Sequence, residues 1–435
     1  MSRRIVYDGL NLALPHGTGI ATYARVLSRV AQDLGHKVGI VYSSRQAPPK
    51  ALLSREVAFF DAPRAVKISP LKNAFDQVVD QFVYWQTVKP KPIELSGAVV
   101  TKQFAGTFPA YDQLYAARNL FRNAQRYFGM TNKFVNLSLE DQPDIFHCTY
   151  QLPLKFRSAC NIYTLHDLIP LRLPFMTLDD KKYTVRLLKK IAREADHIVT
   201  VSEHSKRDIV EILGVEERRV TNTYQAVILP EQYHQRSDDE VADELQGLHS
   251  LEMHGYLLYF GALDPRKNIV RLVDAYLASN ADIPLVIVAE EGWQADAERK
   301  LVAYQTAAER LRVVPRRRIL RLSYVTLGAL TTLIRGARAV LFPTLYEGFG
   351  LPVLEAMSLG TPVISSTESS IPEVAGDAAL LVDPYDVTAI TRAINTIVAD
   401  ADLRAELSRR GRIQAEKFSM EHYRERVERL YATLG

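Results

Sequence analysis

Two spacings of apolar residues alternate along the chain. Short runs of four or five apolar positions, bounded by glycine or proline, predict buried strands; recurrence every three or four residues predicts helices. Residues 4–8 (RIVYD) form a run of the first kind, followed at helical spacing by Ile20, Tyr23, Ala24, Leu27, Val30, Ala31 and Leu34, then Gly35, then a second strand over 38–42. After Pro143 the rhythm resumes, with strands over 144–148, 161–165, 197–201 and 220–224 and helices over 181–195 and 203–213, the latter capped by Ser202. It returns from Tyr256, with strands over 256–261, 284–289, 319–323, 339–342 and 362–366 and helices over 268–279, 296–314 and 327–335. Strand-helix alternation of this kind predicts parallel sheets in two α/β halves.

The stretch 337–384, ARAVLFPTLYEGFGLPVLEAMSLGTPVISSTESSIPEVAGDAALLVDP, puts chemistry in one place. A buried strand ends at Pro343, and a loop with Gly348 and Gly350 leads into a helix whose first turn holds Pro352. Ligands bind at the carboxyl ends of parallel strands, and the free N–H groups of a helix start attract phosphate. Glu347 lies in the loop and Glu355 one turn into the helix, so both can face one ligand. A dipole-complementing cap explains Glu355 alone, but needs neither two loop glycines nor a second carboxylate.

Glu347 and Glu355, with Gly-Phe-Gly-Leu-Pro between them, resemble the E-x7-E motif of retaining GT-B glycosyltransferases, within them glycosyltransferase family 4 and its bacterial mannosyl- and rhamnosyltransferase branch. The string SSIPEVAGDAALLVDP carries the same resemblance. The likeness covers most of the chain and is weakest between about 61 and 140. It implies an α/β chain of GT-B fold: two Rossmann-like domains facing a central cleft, with a C-terminal helix crossing back to the first. The expected division is 1–228 for the acceptor domain with a helical insertion at about 61–140, a linker over 229–255, the nucleotide-sugar domain over 256–418 and the crossing helix over 419–435.

Residue by residue, the resemblance assigns Glu347 and His166 to the transferred sugar. His166 stands with Asp167 at a strand's carboxyl end, where Asp167 either orients it or caps the turn. Arg266 and Lys267, in the loop GALDPRKN, would take the diphosphate: Arg bidentately, Lys as a mobile point charge. Ala262 stands where many members have Arg, which leaves that role to Arg266. The donor set is completed by Gly348, Phe349, Gly350, Leu351 and Glu355, the last on the ribose. Gly17, Thr18 and Gly19, on the first strand-to-helix turn, would line the sugar and acceptor side; a plain tight turn also explains them. The implied reaction moves a hexose, mannose from GDP-mannose in the first instance, to a glycan or lipid-linked acceptor of cell-surface polysaccharide, with retention. GDP- or dTDP-rhamnose and UDP-hexoses stay open as donors, as does a non-catalytic nucleotide-sugar scaffold. A glycosidase using the two glutamates would need neither a phosphate-facing helix nor the basic loop.

Composition narrows this further. A chain of 435 residues with 47% hydrophobic content supports two cores. A net charge of +4 gives no global nucleic-acid footprint, and two cysteines, Cys148 and Cys160, have no metal-ligand spacing. No cofactor and no metal is expected: the lone Asp-x-Asp, Asp400 to Asp402, reads as a helix cap. No apolar run reaches membrane-span length. The expected location is cytoplasmic, with peripheral attachment to the inner membrane face as an alternative.

One stretch resists this frame. Residues 110–129 predict a helix with Leu114, Ala117, Phe121, Ala124 and Phe128 on one face and Tyr111, Tyr115, Arg118, Arg122 and Arg126 on the other. A second helix is expected over about 75–85. Both fit extra helices packed on the first domain. Alternatively Tyr115, Arg118 and Arg122 face an anionic acceptor or an anionic membrane surface.

Overall fold

The computed structural model describes residues 2–13, 19–44, 48–49, 51–61, 87–100, 108–289, 319–322 and 325–434. Gly17 and Thr18, the helices expected over 75–85 and 296–314, and the loop after Ala289 lie outside the described residues.

In the amino-terminal half the strands are β1 (Arg4–Asp8), β2 (Lys37–Ser44), β3 (Lys91–Ile93), β4 (Gln113–Arg118), β5 (Val135–Leu137), β6 (Ile145–Cys148), β7 (Leu154–Phe156), β8 (Cys160–Thr164), β9 (His197–Thr200) and β10 (Val220–Asn222). Eight of them form one sheet in the order β10-β9-β8-β6-β1-β2-β4-β3, while β5 and β7 pair with each other. All pairs in the large sheet are parallel except β3 with β4. The second sheet, β13-β12-β11-β14-β15-β16, is parallel throughout and uses β11 (Leu257–Phe260), β12 (Leu285–Val288), β13 (Ile319–Leu322), β14 (Ala339–Phe342), β15 (Val363–Ser366) and β16 (Leu380–Val382). Every residue of β14 is fully buried, as a strand covered by helices on both faces must be.

Helices connect these strands: α1 (Gly19–Asp33), α2 (Leu52–Phe60), α3 (Leu120–Thr131), α4 (Lys181–Glu194), α5 (Glu203–Leu213), α6 (Asp238–His249), α7 (Ile269–Ala278), α8 (Leu327–Gly336), α9 (Leu351–Ser358), α10 (Ile371–Ala375), α11 (Val387–Ala399), α12 (Ala401–Glu416) and α13 (Met420–Thr433). Asp400 caps α12 by accepting the Leu403 N–H at 2.8 Å. Within the stretch expected as linker, α6 starts with a capping box between Ser237 and Glu240 and buries Val241 and Leu245.

The last helix returns to the first sheet. The Tyr431 hydroxyl shares a hydrogen bond with that of Tyr7 (2.7 Å) and meets His147 Nδ1 at 2.8 Å. His147 Nε2 lies 2.9 Å from Thr164 Oγ1, which is 3.1 Å from the Tyr23 hydroxyl. Burial pushes the His147 pKa down to about 3, so this chain of groups is neutral. α13 is thereby pinned through polar groups that water cannot satisfy.

The helix expected over 110–129 forms only in its second half. Residues Gln113–Arg118 are strand β4, hydrogen-bonded between β2 and β3, and the helix begins only at Leu120 after Asn119 in a left-handed conformation (φ 47°). Leu114, Tyr115, Ala116 and Ala117 are all buried, so both faces of the strand are covered and no period of two marks it. Tyr115 and Arg118 therefore do not share a helix face with Arg122, and Tyr115, 8% exposed, is a core residue rather than part of a surface.

Candidate active site

The site is assembled from two strand-to-helix loops of the second domain. After β14, the Thr344 hydroxyl lies 2.9 Å from Glu347 Oε1 and 3.0 Å from the Arg266 carbonyl. The Leu345 N–H donates to that same carbonyl at 2.7 Å. Ser369 Oγ accepts the Glu347 N–H at 2.9 Å, and Ser370 Oγ lies 3.0 Å and 2.7 Å from the carbonyls of Glu347 and Phe349. The Lys267 ammonium donates to the Glu347 carboxylate and sits 5.0 Å from the centre of the Phe342 ring. Glu347 is 8% exposed, so this ion pair is shielded from water and salt.

In the loop after β11, the Asp264 side chain accepts the Arg266 N–H at 2.9 Å and the guanidinium at 2.8 Å through Nη2. Burial opposes the Arg266 charge, but hydrogen bonding to Asp264 and the charges of Glu347 and Asp167 outweigh it and hold the guanidinium above its ordinary pKa. Thus both basic groups already stand beside carboxylates, held in place rather than free to sweep solvent.

Gly350 (φ 116°) turns the loop into α9; a Cβ there would lie 2.8 Å from Ile371 Cδ1. Glu355, one turn in, is half-buried and makes no side-chain hydrogen bond with a described residue. Burial pushes its pKa up to about 7. Phe349 turns its ring away, onto Tyr224 and Phe418 at centroid distances of 6.2 Å and 5.6 Å.

The first domain supplies the opposite wall. His166 follows β8; its Nε2 lies 3.0 Å from the Thr149 carbonyl, and its ring stands edge-on to Tyr23 at 4.9 Å. A carbonyl can only accept, so Nε2 carries the proton. Burial pushes the His166 pKa down to about 4, which leaves Nδ1 an acceptor at neutral pH. The buried Asp8 carboxylate fixes Thr149 by accepting from its N–H and its hydroxyl. Asp167 caps the following turn, accepting the Ile169 N–H at 3.0 Å. The walls touch at Gly348, where a Cβ would lie 2.8 Å from the His166 carbonyl and 3.1 Å from Asp167 Oδ2. The starts of α1 and α9 also meet: a Cβ on Gly19 would be 3.6 Å from Leu351 Cδ1.

The structure thus brings His166, Arg266, Lys267, Glu347 and Gly348 together where the two domains meet, with Gly19 against Leu351; Gly350 and Glu355 belong to the same loop and to helix α9. Arg122 lies elsewhere, exposed on α3. Asp8, Thr149, Thr344 and Ser369 were not singled out from sequence. Only Ser369 stood within a motif, and nothing in the spacing tied Asp8 or Thr149 to a histidine.

Two parallel-sheet domains closing on each other through their strand-to-helix loops define the GT-B class. A family model described as glycosyl transferases group 1 matches residues 243–414, and one described as glycosyltransferase family 4 matches residues 98–228. The chain is 35% identical over 292 residues to O-antigen chain mannosyltransferase B of Escherichia coli, covering 66% of this chain and 73% of that protein. It is 30% identical over 277 residues to the serotype-specific mannosyltransferase WbdA of the same species, covering 58% of this chain but only 31% of that longer protein. Among solved structures, Anabaena HepE in complex with UDP and glucose superposes with a TM-score of 0.65 at 14% identity, covering 99% of this chain and all of that one. The chain belongs to glycosyltransferase family 4, and is a hexosyl-transferring enzyme of GT-B fold.

Proposed function

We propose that this enzyme transfers mannose from GDP-mannose to a glycan or lipid-linked acceptor in cell-surface polysaccharide synthesis, with retention and without a metal. The mannosyl assignment is supported by the O-antigen mannosyltransferase relative. The single observation that carries the donor site is the meeting of the Arg266-Lys267 turn with the Glu347 loop at the start of α9.

In this reading Arg266 and Lys267 receive the diphosphate, and with the α9 N-terminus they stabilise charge on the departing nucleotide. Glu355 accepts from ribose hydroxyls. Glu347 and His166 flank the sugar; the neutral imidazole accepts from a sugar hydroxyl through Nδ1. Attack from the face the nucleotide leaves keeps the anomeric configuration, and the departing phosphate oxygen takes the acceptor proton. Fixed cations supply the charge that a metal supplies elsewhere, so transfer should persist in EDTA; loss of activity restored by manganese would refute that part.

A UDP-hexose donor is the second reading, favoured by the UDP and glucose held by the HepE structure. A panel of nucleotide sugars in thermal shift decides the donor, because a ligand binding only the native state raises its melting temperature. The expected result is the largest shift with GDP-mannose; a larger shift with a uridine or thymidine nucleotide sugar would replace it. Among the described residues no helix is long and apolar enough to cross a membrane. Peripheral attachment through the exposed Arg122 and Arg126 is tested by sedimentation with anionic vesicles, which should weaken as salt rises.

A further inference from the structure

Helix α5 of the first domain is gripped along one face by the second. Its first two N–H groups, from Glu203 and His204, donate to the Glu373 carboxylate of α10 at 2.9 Å and 3.0 Å. Ser205 Oγ lies 3.1 Å from the His166 carbonyl and 3.4 Å from that of Gly348. One turn further, Asp208 accepts the hydroxyl of Tyr346, the residue just before Glu347. Positions 204, 205 and 208 share a face at helical spacing. The Asp208 side chain is 2% exposed, and its other oxygen is held by Arg172, whose Nε lies 3.0 Å away. His204 Nε2 completes the cluster, 3.2 Å from the Tyr346 hydroxyl.

The placement is informative. Asp208 could satisfy itself within its own domain through Arg172. Instead it reaches across the cleft to the loop that bears Glu347. A hydrogen bond to a buried carboxylate fixes its donor more firmly than one between neutral groups. The loop it fixes then runs through Gly348, which lies against the His166 carbonyl with no room for a side chain. Sugar transfer needs Glu347 and His166 at one separation, and they belong to different domains.

We propose that Asp208 is a positioning residue for transfer: through the Tyr346 hydroxyl it couples closure of the two domains to the placement of Glu347. Arg172 holds Asp208 ready, and Glu373 seats the helix end. This rests on the glycosyltransferase reading of the cleft, and its test therefore has an arm that needs no transfer.

The test uses Tyr346→Phe, Asp208→Asn and the double variant in the full-length protein. Tyr346→Phe removes one hydroxyl and keeps the ring, and so stays informative if Asp208→Asn, which leaves Arg172 with only the exposed Glu211 as a charge partner, fails to fold. Steady-state kinetics with the preferred nucleotide sugar should show kcat down about 10-fold in each single variant, with the dissociation constant for the nucleoside diphosphate within about 2-fold of wild type. The double variant should be no slower than the slower single one, because both act through one contact. Independently of turnover, fluorescent labels on the two domains should report a larger mean separation in Tyr346→Phe than in wild type, with nucleoside diphosphate present. Unchanged kcat and unchanged separation in folded Tyr346→Phe would overturn the proposal, as would multiplying losses in the double variant. Wild-type protein that closes on nucleotide but transfers no sugar would instead refute the reading of the reaction, and the separation measurement would still judge the coupling.

Discussion

The two walls of the cleft are built from opposite kinds of chemistry. In the second domain, Arg266 and Lys267 each stand against a carboxylate, Asp264 and Glu347, inside hydrogen-bonded loops. In the first, His166 is uncharged, anchored by a backbone carbonyl, and backed by the neutral chain Tyr23, Thr164, His147, Tyr431 and Tyr7. A site that must release a diphosphate needs held positive charge on one side; a site that must grip sugar hydroxyls needs acceptors and little net charge on the other. In the proposed reading the diphosphate charge is met by the second domain alone, whereas the sugar lies between Glu347 of the second domain and His166 of the first, so closure assembles the reaction.

The sharpest way to break this contrast is at Glu347. Glu347→Ala should lower kcat by about 10^3-fold while nucleoside diphosphate still binds, since in the proposed reading the carboxylate faces the sugar and Arg266 remains. Equal loss of nucleotide affinity would place Glu347 with the diphosphate instead. Next, Arg266→Ala should weaken nucleoside diphosphate by about 10- to 100-fold and leave the free nucleoside unaffected; calorimetric titration of both ligands measures this. On the neutral side, Tyr431→Phe removes a hydroxyl shared by Tyr7 and His147 and should cost about 1–3 kcal/mol in urea unfolding, with nucleotide affinity unchanged. A change in nucleotide affinity there would mean the two walls are not chemically separate.

The smallest effect concerns pH. Glu355, pushed up to about 7, is protonated below that pH and a charged acceptor above it. Nucleoside affinity should therefore rise several-fold from about pH 6 to pH 8, and Glu355→Gln should flatten the rise; the free nucleoside carries no phosphate to confuse the titration. Stability runs the other way. The folded state holds the proton more tightly than the unfolded chain, so Glu355 stabilises fully below the ordinary 4.5 and this is lost as pH rises through about 7. A denaturation series over that range, compared with Glu355→Gln, checks the sign.

Local grammar made β14 and α9 legible: an apolar run covered on both faces, then Gly348, Gly350 and Pro352 as punctuation. The turn at Asp264 was legible for the same reason. β4 was not, because Leu114, Ala117, Phe121 and Ala124 keep helical spacing straight across a strand end, and Asn119 gave no sign that the chain turns there. The partners of the site were hidden by distance along the chain. Thr149 is 17 residues from His166, and Glu373 is 170 from the Glu203 N–H it receives. No periodicity reports such pairs; only the folded sheets bring them together.

In the proposed reading, fixed cations of the second domain hold a nucleotide diphosphate sugar for transfer across the cleft. Incubating EDTA-treated enzyme with GDP-mannose and a mannan-type acceptor, while following GDP release and glycan length together, decides whether they do. The expected result is GDP release matched by chain extension with the anomeric configuration kept, and loss of both in Glu347→Ala. Absence of binding and turnover with every nucleotide sugar, or extension undiminished in Glu347→Ala, would contradict it.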